Sequence, residues 1–106
     1  MKDIDEYGRF TEEMWFTHPP NVSLTIMALG LSGEVGEVQE HLKKYFRDGR
    51  ELNMEALVKE LGDVAYYWAR LCMHLGLKPS EVLAANVNKL TSRQSRGTLA
   101  GSGNNR

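Results

Sequence analysis

Two apolar stripes of helical period, one on each side of a single polar turn, most restrict how this chain can fold. Leu24, Met27, Leu31, Val35, Val38, Leu42 and Phe46 recur at helical spacing, as do Leu57, Leu61, Val64, Ala65, Trp68, Cys72 and Leu75. Between them lies Arg47-Asp48-Gly49-Arg50, the one evident turn, so the two helices fold back on each other as an antiparallel hairpin. Asn21 or Ser23 is placed to cap the first, which runs to about Phe46, and Asn53 caps the second, which runs to about Leu75 with Gly76 as its stop. A shorter helix over 3–16, with Ile4, Tyr7, Phe10, Met14 and Trp15 on one side, ends before the prolines of Thr17-His18-Pro19-Pro20. A fourth helix from Glu81 to about Ser95 follows Lys78-Pro79, with Ser80 as its N-cap. No strand pattern and no internal repeat is present, so the expected fold is all-α: a helical hairpin plus flanking helices, resembling a four-helix bundle.

A chain of 106 residues is one domain by length, and it is small enough that its helices need a partner subunit to cover them. The expectation is a homodimer or homotetramer, with a single helical domain over 1–96 and a glycine-rich polar tail over 97–106. That tail is expected either to be disordered without ligand or to reach over a neighbouring active site. The lone cysteine, Cys72, cannot form an intrachain disulfide, and no signal-peptide or membrane-spanning run appears, so a cytoplasmic protein away from membranes is expected. All 14 acidic residues lie at or before Glu81, whereas the chain beyond carries Lys89, Arg93, Arg96 and Arg106 without an acid. Four bases without interleaved aromatics make too thin a footprint for nucleic acid, which is not expected as a partner.

The hairpin carries two carboxylate pairs, Glu34-x-x-Glu37 and Glu60-x-x-Asp63, at comparable distances from the turn. Residues three apart on a helix are neighbours at roughly 5–6 Å between Cβ atoms, and the hairpin brings the two pairs to one level. Glu40, beside Lys43 and Lys44, reads as an ordinary solvated face, but Glu34 and Glu37 border the apolar stripe and have no base one turn on. Glycines at 30, 33 and 36 each weaken a helix by about 1 kcal/mol relative to alanine, which points to close helix approach or to space for a ligand. Converging carboxylates repel unless a cation compensates. Oxygen donors without His or Cys at ligand spacing favour Mg²⁺, with Mn²⁺ as a substitute, over zinc. A di-iron bundle needs Glu-x-x-His, and neither His41 nor His74 has a glutamate three residues before it.

Mg²⁺ shares its shell with substrate phosphates and lowers the pKa of an attacking water, so phosphoanhydride hydrolysis is the expected chemistry. Gly-x-x-x-x-Gly-Lys-[Ser/Thr] has no match here, so side chains and helix ends must grip the phosphates. Lys89 and Arg93, four apart on the fourth helix with Asn86 one turn before, are the candidates.

Gly33-Glu34-Val35-Gly36-Glu37, separated by a gap of 22 residues from Glu60-Leu61-Gly62-Asp63-Val64, resembles the MazG-type all-α nucleotide pyrophosphohydrolases, whose signature is E-x-x-E, a variable gap, then E-x-x-D. His18-Pro-Pro-Asn21 is similar to that family's entrance segment, and Asn86-Val-Asn-Lys89-Leu-Thr-Ser-Arg93 to its Asn-x-x-Lys-x-x-x-Arg helix. The resemblance implies cleavage of a nucleoside triphosphate between the α and β phosphorus atoms, with Mg²⁺, to a monophosphate and pyrophosphate. By position it gives Glu34, Glu37, Glu60 and Asp63 the metal and the attacking water, and Lys89 and Arg93 the phosphates. It offers Asn21 and Asn86 as base or sugar contacts, and Trp15 or His18 as a stacking group. A catalytically silent helical module that binds nucleotide or protein is the competing expectation.

Overall fold

The computed structural model describes residues 3–104. Four helices follow in order: α1 (Ile4–Met14), α2 (Pro20–Asp48), α3 (Met54–His74) and α4 (Pro79–Ser95), with no strand among the described residues, so the chain is all-α. The hairpin of α2 on α3 is the main packing unit; α1 lies across α3 and α4, and α2 packs on α3 alone. No helix of the described residues is long and apolar enough to cross a membrane.

Local chemistry explains most element ends. The Asp3 carboxylate accepts a hydrogen bond from the Glu6 N–H at 2.8 Å and caps α1. Asn53 does the same for α3 through Ala56 N–H at 3.1 Å. At the far end of α3, Leu77 N–H donates to Cys72 O and Gly76 N–H to Met73 O, a Schellman closure made possible by Gly76 at φ 74°. Gly49, at φ 65°, turns the chain after α2.

Two expected caps are corrected. α2 begins at Pro20, behind Pro19, and no side chain caps it. Proline needs no N–H partner in the first turn, and Ser23 is occupied instead in accepting the Trp15 Nε1–H at 3.1 Å. Nor is Ser80 the N-cap of α4, which begins one residue earlier, at Pro79. Asp5 of α1 closes that end from across the fold, its carboxylate accepting from Ser80 N–H at 2.9 Å and Ser80 Oγ at 2.5 Å. These two bonds hold the Asp5 carboxyl below its usual range.

The buried faces also differ from the simple stripes. On α1 the buried positions are Gly8 and Thr11, while Phe10 and Met14 are exposed. Gly8 lets α1 lie directly on Met73 and Pro79. α3 is central, touching three helices, so burial extends round it to Ala69 and Arg70 and leaves Leu61 and Leu75 outside. Among the described residues the buried apolar side chains are Met27, Leu57, Ala69, Cys72 and Pro79. Leu24, Val35 and Leu42 of the α2 stripe are at least 38% exposed and Phe46 is 80% exposed.

That uncovered surface is large. The chain presents 7652 Å², whereas a compact protein of 12.0 kDa presents roughly 6,000 Å². Its radius of gyration is 16.6 Å, against about 13 Å for a compact domain of this length. Most of α4 stands away from the rest, with Leu83, Val87 and Leu90 exposed along one side.

Candidate metal centre

α2 approaches α3 closely where Gly30 meets Tyr67, since a Cβ at position 30 would overlap the tyrosine ring. Of the three helical glycines, Gly30 therefore serves close approach, whereas Gly33 and Gly36 face open space. One turn beyond Gly30 stands Glu34, and one turn before Tyr67 stands Asp63. In an antiparallel pair those steps run in the same direction, so the two carboxylates arrive at one level, joined by Glu60 a turn earlier on α3.

Carboxylate oxygens of Glu34, Glu60 and Asp63 lie within 4.8 Å of one another. Among the described residues no lysine or arginine pairs with them; the ion pairs found are Lys43–Glu40, Arg47–Asp48 and Lys59–Glu55. Partial burial first, then a hydrogen bond shared with Glu60 and the charges of Asp63, Glu60 and Glu37, raise the Glu34 carboxyl above its ordinary value. Glu37 is exposed and lies outside the close group, so three of the four expected carboxylates converge here and the fourth acts on Glu34 at longer range. Three oxygen-donor side chains with no His or Cys among them suit a hard divalent cation.

The sign of the Glu34 shift gives a test. A carboxyl raised in the folded state adds stability below its unfolded value, and that contribution is lost as pH rises through the folded value. The metal-free protein should therefore gain stability relative to its Glu34→Gln variant as pH falls toward 4.5, the ordinary glutamate value. A divalent cation competes with the same proton, so Mg²⁺ should raise the melting temperature at pH 8 and do progressively less toward pH 5. Scanning calorimetry with Mg²⁺ and with chelator reads both trends.

α1 contributes a group that the sequence pattern did not single out. The Tyr7 hydroxyl is pushed up by burial and then by the charge of Asp63, one of the three carboxylates. Beyond them a cavity of about 240 Å³ is lined by Met14, Trp15, Phe16, His18, Ile26, Tyr66 and Tyr67. Trp15 and His18 meet there edge to face, with ring centroids 6.1 Å apart. Asn21 and Asn86 are exposed and do not line it. Adjacent tyrosines at 66 and 67, one turn past Asp63, were the available signal for this cavity.

The basic residues of α4 are not gathered at the carboxylates. Within the chain α4 packs on α1 and α3 but not on α2. Lys89 is exposed, while Arg93 is 4% exposed and donates from Nη2 to Gly103 O at 3.0 Å and Asn104 Oδ1 at 3.4 Å. The tail thus folds back onto α4 through Arg93 as far as Asn104; Arg106 lies outside the described residues.

The sequence pattern of the MazG nucleotide pyrophosphohydrolase domain matches residues 23–98, which contain most of α2 and all of α3 and α4. The chain belongs to the MazG family. It is also 42% identical over 87 residues, covering 78% of this chain and 76% of the other, to the Gene 37 protein of Mycobacterium phage L5. No solved structure matches the chain. The MazG match spans the three converging carboxylates and leaves out α1, so the Tyr7, Met14 and Trp15 contributions come from outside the matched domain.

Proposed function

We propose that this MazG-family chain is a divalent-cation-dependent nucleoside triphosphate pyrophosphohydrolase, cleaving between the α and β phosphates. The observation that carries the reading is the convergence of Glu34, Glu60 and Asp63 with no basic partner among the described residues. These three would hold the cation, Mg²⁺ or Mn²⁺ by the hardness of the donors. When bound, the cation would neutralise phosphate oxygens and acidify a water.

The protein's own groups supply the rest. Glu37, exposed one turn from Glu34, would rotate inward as the fourth carboxylate and accept the proton of the attacking water. Lys89 would meet the negative charge of the triphosphate, and Arg93 would join it by giving up its bonds to the tail. Trp15 and His18 would take the base. Asn21 and Asn86 have less support, being outside the aromatic cavity.

The uncovered apolar surface supports a homodimer. An excess of roughly 1,600 Å² per chain over a compact domain corresponds, for two chains, to the size of an obligate interface.

Chromatography of products from a panel of NTPs and dNTPs, with Mg²⁺ and with chelator, tests the reaction. Monophosphate and pyrophosphate, lost on chelation, are the expected products. Diphosphate plus phosphate would overturn the position of cleavage. No turnover would favour a silent nucleotide-binding module, the reading to which the outward placement of Glu37 lends support.

A further inference from the structure

Arg70 is a buried charged side chain of α3 that stands outside the carboxylate group. It is 6% exposed, yet its Nε and Nη1 have neither a hydrogen-bond partner nor access to solvent. Among the described residues no carboxylate pairs with it. A guanidinium with two of its three nitrogens taken out of water in this way is unfavourable unless something answers its charge. What stands against it is an aromatic face, the Trp15 ring, with the guanidinium carbon 5.3 Å from the centroid.

Trp15 belongs to the stretch between α1 and α2, where neighbouring residues 16–19 are exposed and non-helical. Its indole is nevertheless fixed on several sides. Nε1 donates to Ser23 Oγ, Tyr67 meets it edge-on at 6.5 Å and 89°, and Tyr66 lies at 6.5 Å. Trp15 lines the aromatic cavity and Arg70 does not, so the cation holds the indole from outside the cavity. A desolvated cation over a tryptophan face is the strongest form of this contact. The arrangement keeps a flat ring rigid at the wall of an open cavity, in a segment that has no helix to hold it.

The position along α3 says what the wall faces. Tyr66 and Tyr67 lie one turn past Asp63 on α3, and Arg70 two turns past, about 10 Å along the axis. A nucleotide whose phosphates sit at Asp63 brings its base to the level of Tyr66, Tyr67 and Trp15. We propose that Arg70 is a positioning residue for base recognition, clamping Trp15 as the wall on which the heterocyclic base of a nucleotide stacks. The ligand class is a nucleotide bearing a base, as against a bare polyphosphate. The inference rests on the proposed function for the nucleotide, but the clamp can be read by binding alone.

The test uses Arg70→Met and Arg70→Lys in a Trp68→Phe background, where Trp15 is the sole tryptophan. Exchanging a buried unpaired charge for an apolar chain of similar shape should leave the melting temperature unchanged or higher. Nucleotide quenching of Trp15 fluorescence, measured with a dNMP panel, should weaken at least 10-fold in Arg70→Met and less in Arg70→Lys. With Mg²⁺, KM for dNTPs should rise by a similar factor while kcat changes little, and the affinity for inorganic tripolyphosphate, measured by calorimetry, should be unchanged. Unchanged quenching in a folded Arg70→Met protein, or an equal loss for tripolyphosphate, overturns the clamp. Quenching that depends on Arg70 without any turnover keeps the clamp and overturns the reaction. Neither quenching nor turnover in the parent protein overturns both. Should Arg70→Met not fold, Arg70→Lys decides on the same readouts.

Discussion

Asp63→Asn should lower kcat/KM for the preferred nucleotide by about 10²–10⁴-fold, the range lost when a positioned ionic or proton-transfer group is removed, while making the metal-free protein more stable. The two effects have one cause. Asp63 lies with Glu34 and Glu60 inside 4.8 Å, and no base among the described residues offsets their charge. Such clustering is unfavourable to the empty fold and useful only to something positive. Removing one charge relieves repulsion of a few tenths to about 1 kcal/mol at a partly exposed site, so the melting temperature in chelator should rise by a few degrees. The stabilisation that Mg²⁺ confers on the parent should largely vanish. Activity assays and paired melts with and without Mg²⁺ check both directions. A variant that lost activity and also melted lower in chelator would show that Asp63 supports the fold rather than a cation. Neutralising Glu34, Glu60 or Asp63 should give the same opposed signs, whereas Glu37→Gln, outside the close group, should reduce turnover with little change in apo stability.

Val58→Glu should convert the protein to monomer. Val58 is 66% exposed on α3, beside Met54 at 62% and Leu61 at 56%, which together form an apolar strip with nothing on it. If the chain were a monomer, a glutamate there would sit in water and change stability by less than about 0.5 kcal/mol. In a dimer covering this strip, it would bury an unpaired carboxylate, a change worth several kcal/mol per site. Light scattering coupled to size exclusion should therefore give twice the chain mass for the parent and the chain mass for Val58→Glu, with a melting temperature that falls and becomes dependent on concentration. A parent protein of 12.0 kDa in solution at micromolar concentration would refute the dimer.

The hairpin was legible because its signals are local and repeated. Apolar residues recur every three or four positions through 24–46 and 57–75, Asn53 and Gly76 mark ends of α3, and Gly49 sits in the turn. Glu34, Glu60 and Asp63 follow from that periodicity, since spacing along two helices and distance from one turn suffice to bring them level. Where expectation failed, the deciding partner came from far away in the chain. Ser80 looks like a cap for α4, but the group that closes that helix end is Asp5, 75 residues away. Phe10 and Met14 look like the buried side of α1; Gly8 and Thr11 hold that place because α1 crosses α3 and α4 where only a small residue permits contact.

Local pattern in the chain was therefore enough to read that it is all-α, where its helices run to within a few residues, and that it belongs with the MazG proteins. Periodicity, capping and spacing along one helix depend on neighbours within about two turns, and such neighbours are written in order. It took the packed fold to separate Glu37 from the other three carboxylates, to bond Arg93 to the tail, and to bury Arg70 against Trp15. Those outcomes depend on how helices rotate and cross, which is set by the packing of many side chains at once and by no single stretch of sequence.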